Sequence, residues 1–175
     1  MVCNHVSYMD ALILSASIPR PVRFVMYYKI FNIPVMRWIF RTGKAIPIAS
    51  PREDAVLMQR AFDEIDAALA EGGIVGIFPE GKLTTNGEIA AFKSGVERVL
   101  ARAAEAGRPV PVVPMALRGM WSSMWSHRDN RMGRMRVPRR FRAHVEVVAG
   151  APVAGGGATV EVLEAKVKAL RGDAA

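Results

Sequence analysis

Short apolar stretches alternate with segments of helical spacing along most of this chain, and that alternation limits the folds open to it. The predicted strands are residues 23–26, 74–78, 110–117 and 141–147. The predicted helices are residues 8–17, a segment from Ser50 to Gly72, a segment from Ser94 to Gly107, and a segment that follows Thr159. Strands that alternate with helices are typical of α/β proteins. The sequence therefore predicts an α/β fold with a single mixed β-sheet flanked by helices.

Each predicted helix has a polar residue at its start. Three of them begin with a serine placed three positions before an acidic residue, in the pairs Ser7–Asp10, Ser50–Glu53 and Ser94–Glu97. In a capping box of this kind, the hydroxyl and the carboxylate satisfy free N–H groups at the helix start. Thr159 is the predicted cap of the last helix. We therefore expect these four hydroxyl residues to be N-caps.

The length of 175 residues suits one domain with its own core. We expect the main domain to cover residues 1–153, with an N-terminal truncation because residues 1–3 resemble the end of a buried strand. A Gly-rich joint and a C-terminal helix are expected over residues 154–175. Pro111 and Pro114 predict that the 110–117 strand lies at a sheet edge or contains bulges.

The charge balance indicates an anionic partner. The chain has a net charge of +8 and a pI of about 10.2, which favours nucleic acid, an anionic membrane surface or a phosphate-bearing substrate. The single cysteine, Cys3, excludes an internal disulfide and fits a reducing compartment. The sequence contains no apolar run of about 18 residues that would predict a membrane-spanning helix, and no signal peptide is recognisable.

The first ten residues, MVCNHVSYMD, place a histidine five positions before an aspartate. If Ser7 caps a helix, His5 lies just outside the helix and Asp10 lies in its first turn. A carboxylate that binds one imidazole nitrogen fixes the tautomer and leaves the other nitrogen to accept a proton. The alternative is that Asp10 only completes a capping box and that His5 is an ordinary loop residue.

The stretch IVGIFPEGKLTTNG contains a second group of polar residues, directly after a predicted buried strand. Loops at the carboxyl ends of strands line the ligand crevice of α/β sheets. Glu80, Lys82, Thr84 and Thr85 are therefore candidates for binding a phosphate through charge and hydrogen bonds. The alternative is an ordinary polar turn.

Together these stretches resemble the glycerolipid acyltransferase family, the PlsC-like lysophospholipid acyltransferases. Asn4, His5 and Asp10 match the first motif of the family, NHxxxxD, and residues 78–81, FPEG, match the third. Residues 110–114, VPVVP, resemble the fourth motif, an apolar stretch around a proline. Motifs that occur in the expected order are more specific than any one of them alone.

The chain also departs from the family pattern. Residues 43–48, GKAIPI, match the second motif loosely, with Ser50 in place of its arginine; Arg52 is the candidate substitute. Lys82 replaces the usual arginine of the third motif, which keeps the charge but not the bidentate geometry. This variant, EGKLTTNG, resembles the lysophosphatidylethanolamine acyltransferase branch, whose members are often fused to a transporter. The resemblance therefore also implies a possible N-terminal transporter or membrane segment as a fusion partner.

The resemblance implies an acyl transfer from acyl-CoA or acyl-carrier protein to the hydroxyl of a lysophospholipid, carried out by the domain of residues 1–153. His5 would be the general base and Asp10 would orient it. The implied substrate-binding residues are Asn4, Lys44, Arg52, Glu80, Gly81, Lys82 and Thr84. Apart from the acyl donor, the resemblance implies no cofactor.

Residues 11–52 contain no acidic side chain, and their basic residues are interspersed with aromatic ones. Basic and aromatic residues together favour an anionic membrane interface. We therefore expect a peripheral protein at the cytoplasmic face of a membrane, although a helix with a solvated basic edge would give the same pattern. A second basic cluster, residues 128–143, has seven arginines and one acidic residue. It suits headgroups, CoA phosphates or an acidic carrier protein, or a solvated loop.

Other functional classes explain less of the sequence. A basic nucleic-acid-binding α/β domain without enzymatic activity would explain the net charge, but it leaves the NHVSYMD and FPEG stretches without a role. The histidines, His5, His127 and His144, lack the spacing of metal ligands. The G-x-S-x-G pattern of serine hydrolases is missing from the sequence.

Overall fold

A computed structural model describes residues 1–121 and 144–172 of the chain. The predicted strands and helices that lie in these ranges are present, together with a helix, Pro34–Thr42, and a strand, Ile46–Ile48, that the sequence analysis did not predict. The strands are β1 (Val2–Cys3), β2 (Val22–Tyr27), β3 (Ile46–Ile48), β4 (Ile74–Gly76), β5 (Pro114–Arg118) and β6 (Glu146–Ala149). The helices are α1 (Asp10–Ser17), α2 (Pro34–Thr42), α3 (Ala55–Ala70), α4 (Gly95–Glu105) and α5 (Val160–Arg171). Two short 3-10 turns cover Tyr28–Asn32 and Gly155–Gly157.

The strands form two three-stranded sheets, in the orders β3-β2-β4 and β1-β5-β6. A parallel bridge between Val2 and Ile77 connects them, with the N–H of Cys3 donating to the Ile77 carbonyl at 3.2 Å. All the strand pairs are parallel except β5–β6. The α/β prediction is confirmed, and the predicted single mixed sheet is present as two three-stranded parts that meet at the bridge between Val2 and Ile77.

Five parallel strands direct their carboxyl ends to one edge of the sheets, and we call this the carboxyl edge. The segments that follow β1 and β4, which contain His5 and Glu80, therefore lie at the same edge. This edge is where α/β sheets bind ligands.

The position of β5 differs from the prediction. It begins at Pro114 rather than at residue 110, and it lies in the middle of its sheet, between β1 and β6, rather than at an edge, which was one of the two predicted alternatives. A proline is compatible with this position because Pro114 is the first residue of the strand and its carbonyl still accepts from the N–H of Gly150 at 2.8 Å. Strand β6 begins at Glu146, and residues 141–143 of the predicted strand lie outside the described ranges.

Helices are present at all three predicted capping boxes, but none of the three serine hydroxyls caps its helix. The carboxylate half of the box forms twice: Asp10 accepts from the N–H of Ser7 at 2.9 Å, and Glu53 accepts from the N–H of Ser50 at 3.4 Å. Helix α1 begins at Asp10, and the Ser7 hydroxyl accepts from the N–H of Met9 instead of capping it. Helix α3 begins at Ala55 with Asp54 as its cap, after a turn in which Ser50 donates to Glu53.

Helix α4 begins at Gly95, and Ser94 makes no side-chain cap. Glu97 accepts instead from the N–H of Val160, at 2.9 Å. Thr159 does cap α5, as predicted, by accepting from the N–H of Val162.

Helix α5 packs onto the same core as β1 and α4. Leu163 and Val167 have no exposed surface and contact a cluster that includes Val2 and Leu100. The boundary at residue 153 stays a prediction. Within residues 1–121 and 144–172, none of the helices is long and apolar enough to cross a bilayer.

Candidate active site

His5 and Asp10 meet at the carboxyl edge. His5 follows β1, and Asp10 is the first residue of α1, so the short loop between them folds back on itself. The Nδ1 atom of His5 lies 2.9 Å from Oδ2 of Asp10. The Asp10 side chain is fully buried, whereas that of His5 is 21% exposed. This arrangement joins a fixed carboxylate to an imidazole that solvent can reach.

The backbone of the same loop fixes the Asp10 carboxylate. Its Oδ2 accepts from the N–H groups of Val6 at 2.7 Å and Ser7 at 2.9 Å, in addition to His5. The bond to Ser7 is the carboxylate half of the predicted capping box, and the bonds to Val6 and His5 tie the preceding chain to the same oxygen. With Nδ1 bound to this carboxylate, Nε2 is the ring nitrogen that can exchange a proton with a substrate.

Aromatic stacking sets the plane of the imidazole. The His5 ring stacks on Phe78 with centroids 4.3 Å apart and 17° between the planes. Phe78 in turn stacks on Phe24 of β2, at 5.6 Å. The ring is therefore held at one atom by Asp10 and across its face by Phe78, and the described residues provide no hydrogen-bond partner for Nε2.

Glu80 ties the FPEG turn, residues 78–81, to His5. Its side chain is almost fully buried, and its two oxygens accept from the N–H groups of His5 at 2.7 Å and Ala90 at 2.8 Å. Burial raises the pKa of this carboxyl, and the two N–H donors oppose part of that rise. Because backbone groups occupy both oxygens, Glu80 organises the site rather than presenting a free carboxylate to a ligand.

Thr84 is also an internal support. Its N–H donates to the carbonyl of His5 at 3.0 Å, and its hydroxyl donates to Asn86 and accepts from the N–H of Gly87. His5 is therefore bound to the third-motif segment through both its N–H and its carbonyl.

Asn4 connects strands. Its amide oxygen accepts from the N–H of Leu117 at 2.8 Å, and its amide nitrogen donates to the Leu117 carbonyl at 3.1 Å. The side chain is fully buried. Asn4 thus positions His5 by holding the end of β1 against β5.

Two lysines bring positive charge to the FPEG turn. Gly81 has a φ of +65°, and a Cβ at that position would lie 2.6 Å from Nζ of Lys93. Lys82 follows directly and is exposed. Sequence reasoning missed Lys93 because no pattern connects it with Gly81, 12 positions earlier; the only signal was its positive charge in the segment that leads to α4.

The two second-motif residues lie at opposite ends of β3. Arg52 is exposed in the turn after β3, at the carboxyl edge. Lys44 precedes β3, and its carbonyl accepts from Arg23 near the start of β2, at 3.2 Å. The structure therefore brings Arg52 to the same edge as His5 but leaves Lys44 at the other edge.

Apolar side chains are exposed in the segment that follows β2. Ile33 is 51% exposed and Trp38 is 72% exposed. Arg37 and Arg41, which are also exposed, lie on the same helix as Trp38. We call Ile33, Arg37, Trp38 and Arg41 the α2 surface. The arginine cluster 128–143, Trp125 and His127 lie outside the described ranges.

The chain is similar to proteins that are named as acyltransferases. The chain is 33% identical over 132 residues to a 1-acyl-sn-glycerol-3-phosphate acyltransferase of Chlamydomonas reinhardtii, covering 75% of this chain and 37% of that protein. It is 30% identical over 120 residues to a chloroplastic 1-acyl-sn-glycerol-3-phosphate acyltransferase of Brassica napus, covering 67% of this chain and 32% of the relative. The chain thus spans about a third of the length of these relatives.

A solved structure has the same fold. The 1-acyl-sn-glycerophosphate acyltransferase PlsC of Thermotoga maritima matches with a TM-score of 0.67 and 23% identity, over 98% of this chain and 64% of that one. The model of the family described as Acyltransferase matches residues 1–118, which include His5, Asp10 and the FPEG turn. The chain therefore belongs to the acyltransferase family, and its fold is that of PlsC-like glycerolipid acyltransferases.

Proposed function

We propose that this chain transfers a fatty acyl group to the free hydroxyl of a lysophospholipid, either 1-acylglycerol-3-phosphate or lysophosphatidylethanolamine. The observation that carries the proposal is the 2.9 Å contact between His5 Nδ1 and the buried carboxylate of Asp10. It occurs in a chain of the acyltransferase family. Two of its relatives are named as 1-acyl-sn-glycerol-3-phosphate acyltransferases, and these names support this acceptor class.

In the proposed reaction, Nε2 of His5 takes the proton of the acceptor hydroxyl as its oxygen attacks the thioester carbonyl carbon. The new ester C–O bond forms, the C–S bond breaks, and the thiolate that leaves takes the proton back from the imidazolium. Asp10 stabilises the imidazolium and keeps the ring in place. The acyl donor is acyl-CoA or acyl-carrier protein. Direct attack needs no acyl-enzyme, so neither a serine nor a cysteine nucleophile is required.

The acceptor phosphate binds beside the FPEG turn in this proposal. Gly81 lets the backbone turn with a positive φ, and the ammonium groups of Lys82 and Lys93 supply charge there. Arg52 lies at the same edge and is the nearest equivalent of the second-motif arginine. Charge-assisted hydrogen bonds to phosphate oxygens are among the stronger polar contacts that a protein makes. Asn4, Glu80 and Thr84 act indirectly, by positioning His5 and the turn.

The acceptor is a lipid, so the protein has to reach a membrane surface. The α2 surface combines two exposed apolar side chains with two arginines. Such a surface binds anionic headgroups while its apolar residues enter the interface. We propose that the chain works as a peripheral protein at the cytoplasmic face, with the α2 surface against the lipid.

An assay of the products tests the proposal. Purified protein is incubated with labelled acyl-CoA or acyl-carrier protein and a panel of lysophospholipids that differ in headgroup, and the products are identified by mass. We expect a diacyl phospholipid from at least one acceptor. Salt-dependent binding to DNA, with no acyl transfer to any acceptor, would instead favour the nucleic-acid-binding alternative.

A further inference from the structure

Helix α5 lies outside the residues that the family model matches, 1–118, yet it reaches the loop that contacts His5. We propose that α5 is part of the active-site architecture, and that Glu164 and Arg171 are positioning residues that hold the loop of residues 84–93 against His5. We call these two side chains the α5 clamp. The inference rests on the proposed function, because it assigns the clamp a part in that reaction.

The loop of residues 84–93 depends on side chains for its shape. It contains neither a helix nor a strand, so ladder hydrogen bonds do not satisfy its backbone groups. Two of these groups bind α5: the N–H of Phe92 donates to Oε2 of Glu164 at 2.8 Å, and Nη1 of Arg171 donates to the carbonyl of Gly87 at 2.7 Å. A third, the N–H of Ala90, binds Glu80.

A continuous set of hydrogen bonds runs from Arg171 of the clamp to the backbone carbonyl of His5. Gly87, which Arg171 binds, donates its N–H to the hydroxyl of Thr84 at 3.0 Å. The N–H of Thr84 donates to the carbonyl of His5, also at 3.0 Å. A shift of Gly87 therefore moves the backbone of the proposed base.

Gly87 is held from a second side as well. Its φ is +90°, and a Cβ there would lie 2.6 Å from the indole of Trp121. Gly87 thus lies against the Trp121 ring and also accepts a hydrogen bond from Arg171 at its carbonyl. Both contacts restrict the position that the Gly87 carbonyl can take.

The helix that carries the clamp is well anchored. Leu163 and Val167 are fully buried in the core, and the guanidinium of Arg118 binds the carbonyl of Leu170. The ammonium of Lys168, one turn along, lies 2.7 Å from Oε1 of Glu164, which leaves Oε2 for Phe92. Because α5 is anchored in the core, its two clamp side chains can fix the position of the loop. The same side chains on an unanchored segment would move with the loop.

Substitution of the clamp tests the inference. Arg171→Ala is expected to lower kcat about ten-fold, because it removes the charge-assisted hydrogen bond that holds Gly87, which is linked through Thr84 to His5, and to leave the KM for acyl-CoA unchanged. Arg171→Lys, which keeps a charged donor, is expected to recover most of the loss. Glu164→Ala is expected to act in the same direction. The matched control is Lys166→Ala, which removes one exposed charge from the same helix and is expected to have no effect.

Hydrogen exchange separates positioning from stability. In Arg171→Ala we expect faster amide exchange in residues 84–93, with the melting temperature and the other peptides unchanged. Unchanged exchange in that loop, or a uniform rise along the chain, would overturn the inference. If the unmodified protein transfers no acyl group to any acceptor, the proposed function fails, and the exchange comparison alone decides whether the clamp holds the loop.

Discussion

The main-chain N–H of His5 donates a 2.7 Å hydrogen bond to the carboxylate of Glu80, 75 positions later in the sequence. Through this bond the first-motif and third-motif segments share one buried side chain. The second oxygen of Glu80 binds the N–H of Ala90. The position of the imidazole thus depends on a carboxylate that need not touch the substrate.

Substitution of Glu80 should destabilise the protein as well as the site. Glu80→Ala leaves the N–H groups of His5 and Ala90 without acceptors, at roughly 1–3 kcal/mol each. We expect the free energy of unfolding, measured with urea, to fall by roughly 2–6 kcal/mol. Glu80→Gln keeps one acceptor and should cost less. The control is Glu71→Ala, at an exposed position after α3, which should leave the free energy of unfolding almost unchanged. Equal decreases in the two alanine variants would contradict the supporting role of Glu80.

The pH dependence of stability should carry a contribution from Glu80. Burial raises the pKa of this carboxyl. The folded protein therefore keeps the proton to a higher pH than the unfolded chain, in which the pKa of glutamate is about 4.3. Between the two pKa values the folded state binds more protons, so the free energy of unfolding falls as pH rises.

A comparison with Glu80→Gln isolates this contribution. We expect the difference in unfolding free energy between the unmodified protein and the variant to decrease as pH rises above about 4.3, and to level off above the raised pKa. Urea titrations over a series of pH values measure it. A difference that stays constant or increases over that range would show that burial does not raise the pKa of Glu80.

Lys93 should contribute to acceptor binding. Its Nζ lies over Gly81, where the proposal places the phosphate. We expect Lys93→Met to raise the KM for a lysophospholipid about ten-fold or more, with a smaller effect on kcat, because one charge-assisted contact is lost. Lys166→Met on α5 is the control for the loss of a surface charge. An unchanged KM in Lys93→Met would remove Lys93 from the phosphate site.

Trp38 should contribute to membrane binding. It is 72% exposed, and Val56 on α3, at 63%, provides a matched control. We expect Trp38→Ser to weaken binding to vesicles of anionic phospholipid about ten-fold at low salt, because a large apolar side chain no longer enters the interface. Val56→Ser should bind normally. Flotation of the vesicles measures binding, and equal recovery of Trp38→Ser and the unmodified protein would place the lipid on another surface.

The sequence predicted the order of strands and helices better than it predicted their starts. Apolar spacing is a local property, so α3 and β4 could be anticipated. A serine three positions before an acidic residue is also a local pattern. The hydrogen-bond partner of the acidic side chain, however, can lie far away in the sequence. Glu97 binds Val160 from a distant helix, and Asp10 binds His5 and the loop before it.

The site was predicted in part, for the same reason. His5 and Asp10 lie within one short stretch, so their contact follows from local folding. The interior roles of Asn4 and Glu80 depend on β5 and on the 84–93 loop, which sequence spacing does not place. Lys93 reaches Gly81 only because the chain between them folds back on itself. Arg171 binds Gly87 only through the tertiary fold, and no sequence pattern links the two residues.

The central claim is that His5 removes the proton of a lipid hydroxyl with Asp10 as its support. The most direct test is the initial rate of acyl transfer by His5→Ala and Asp10→Asn, compared with the unmodified protein at equal acceptor and acyl-CoA, with circular dichroism to verify folding. The account predicts a folded His5→Ala variant with no measurable transfer and an Asp10→Asn rate reduced by about 100-fold or more. Near-normal turnover by folded His5→Ala would contradict it.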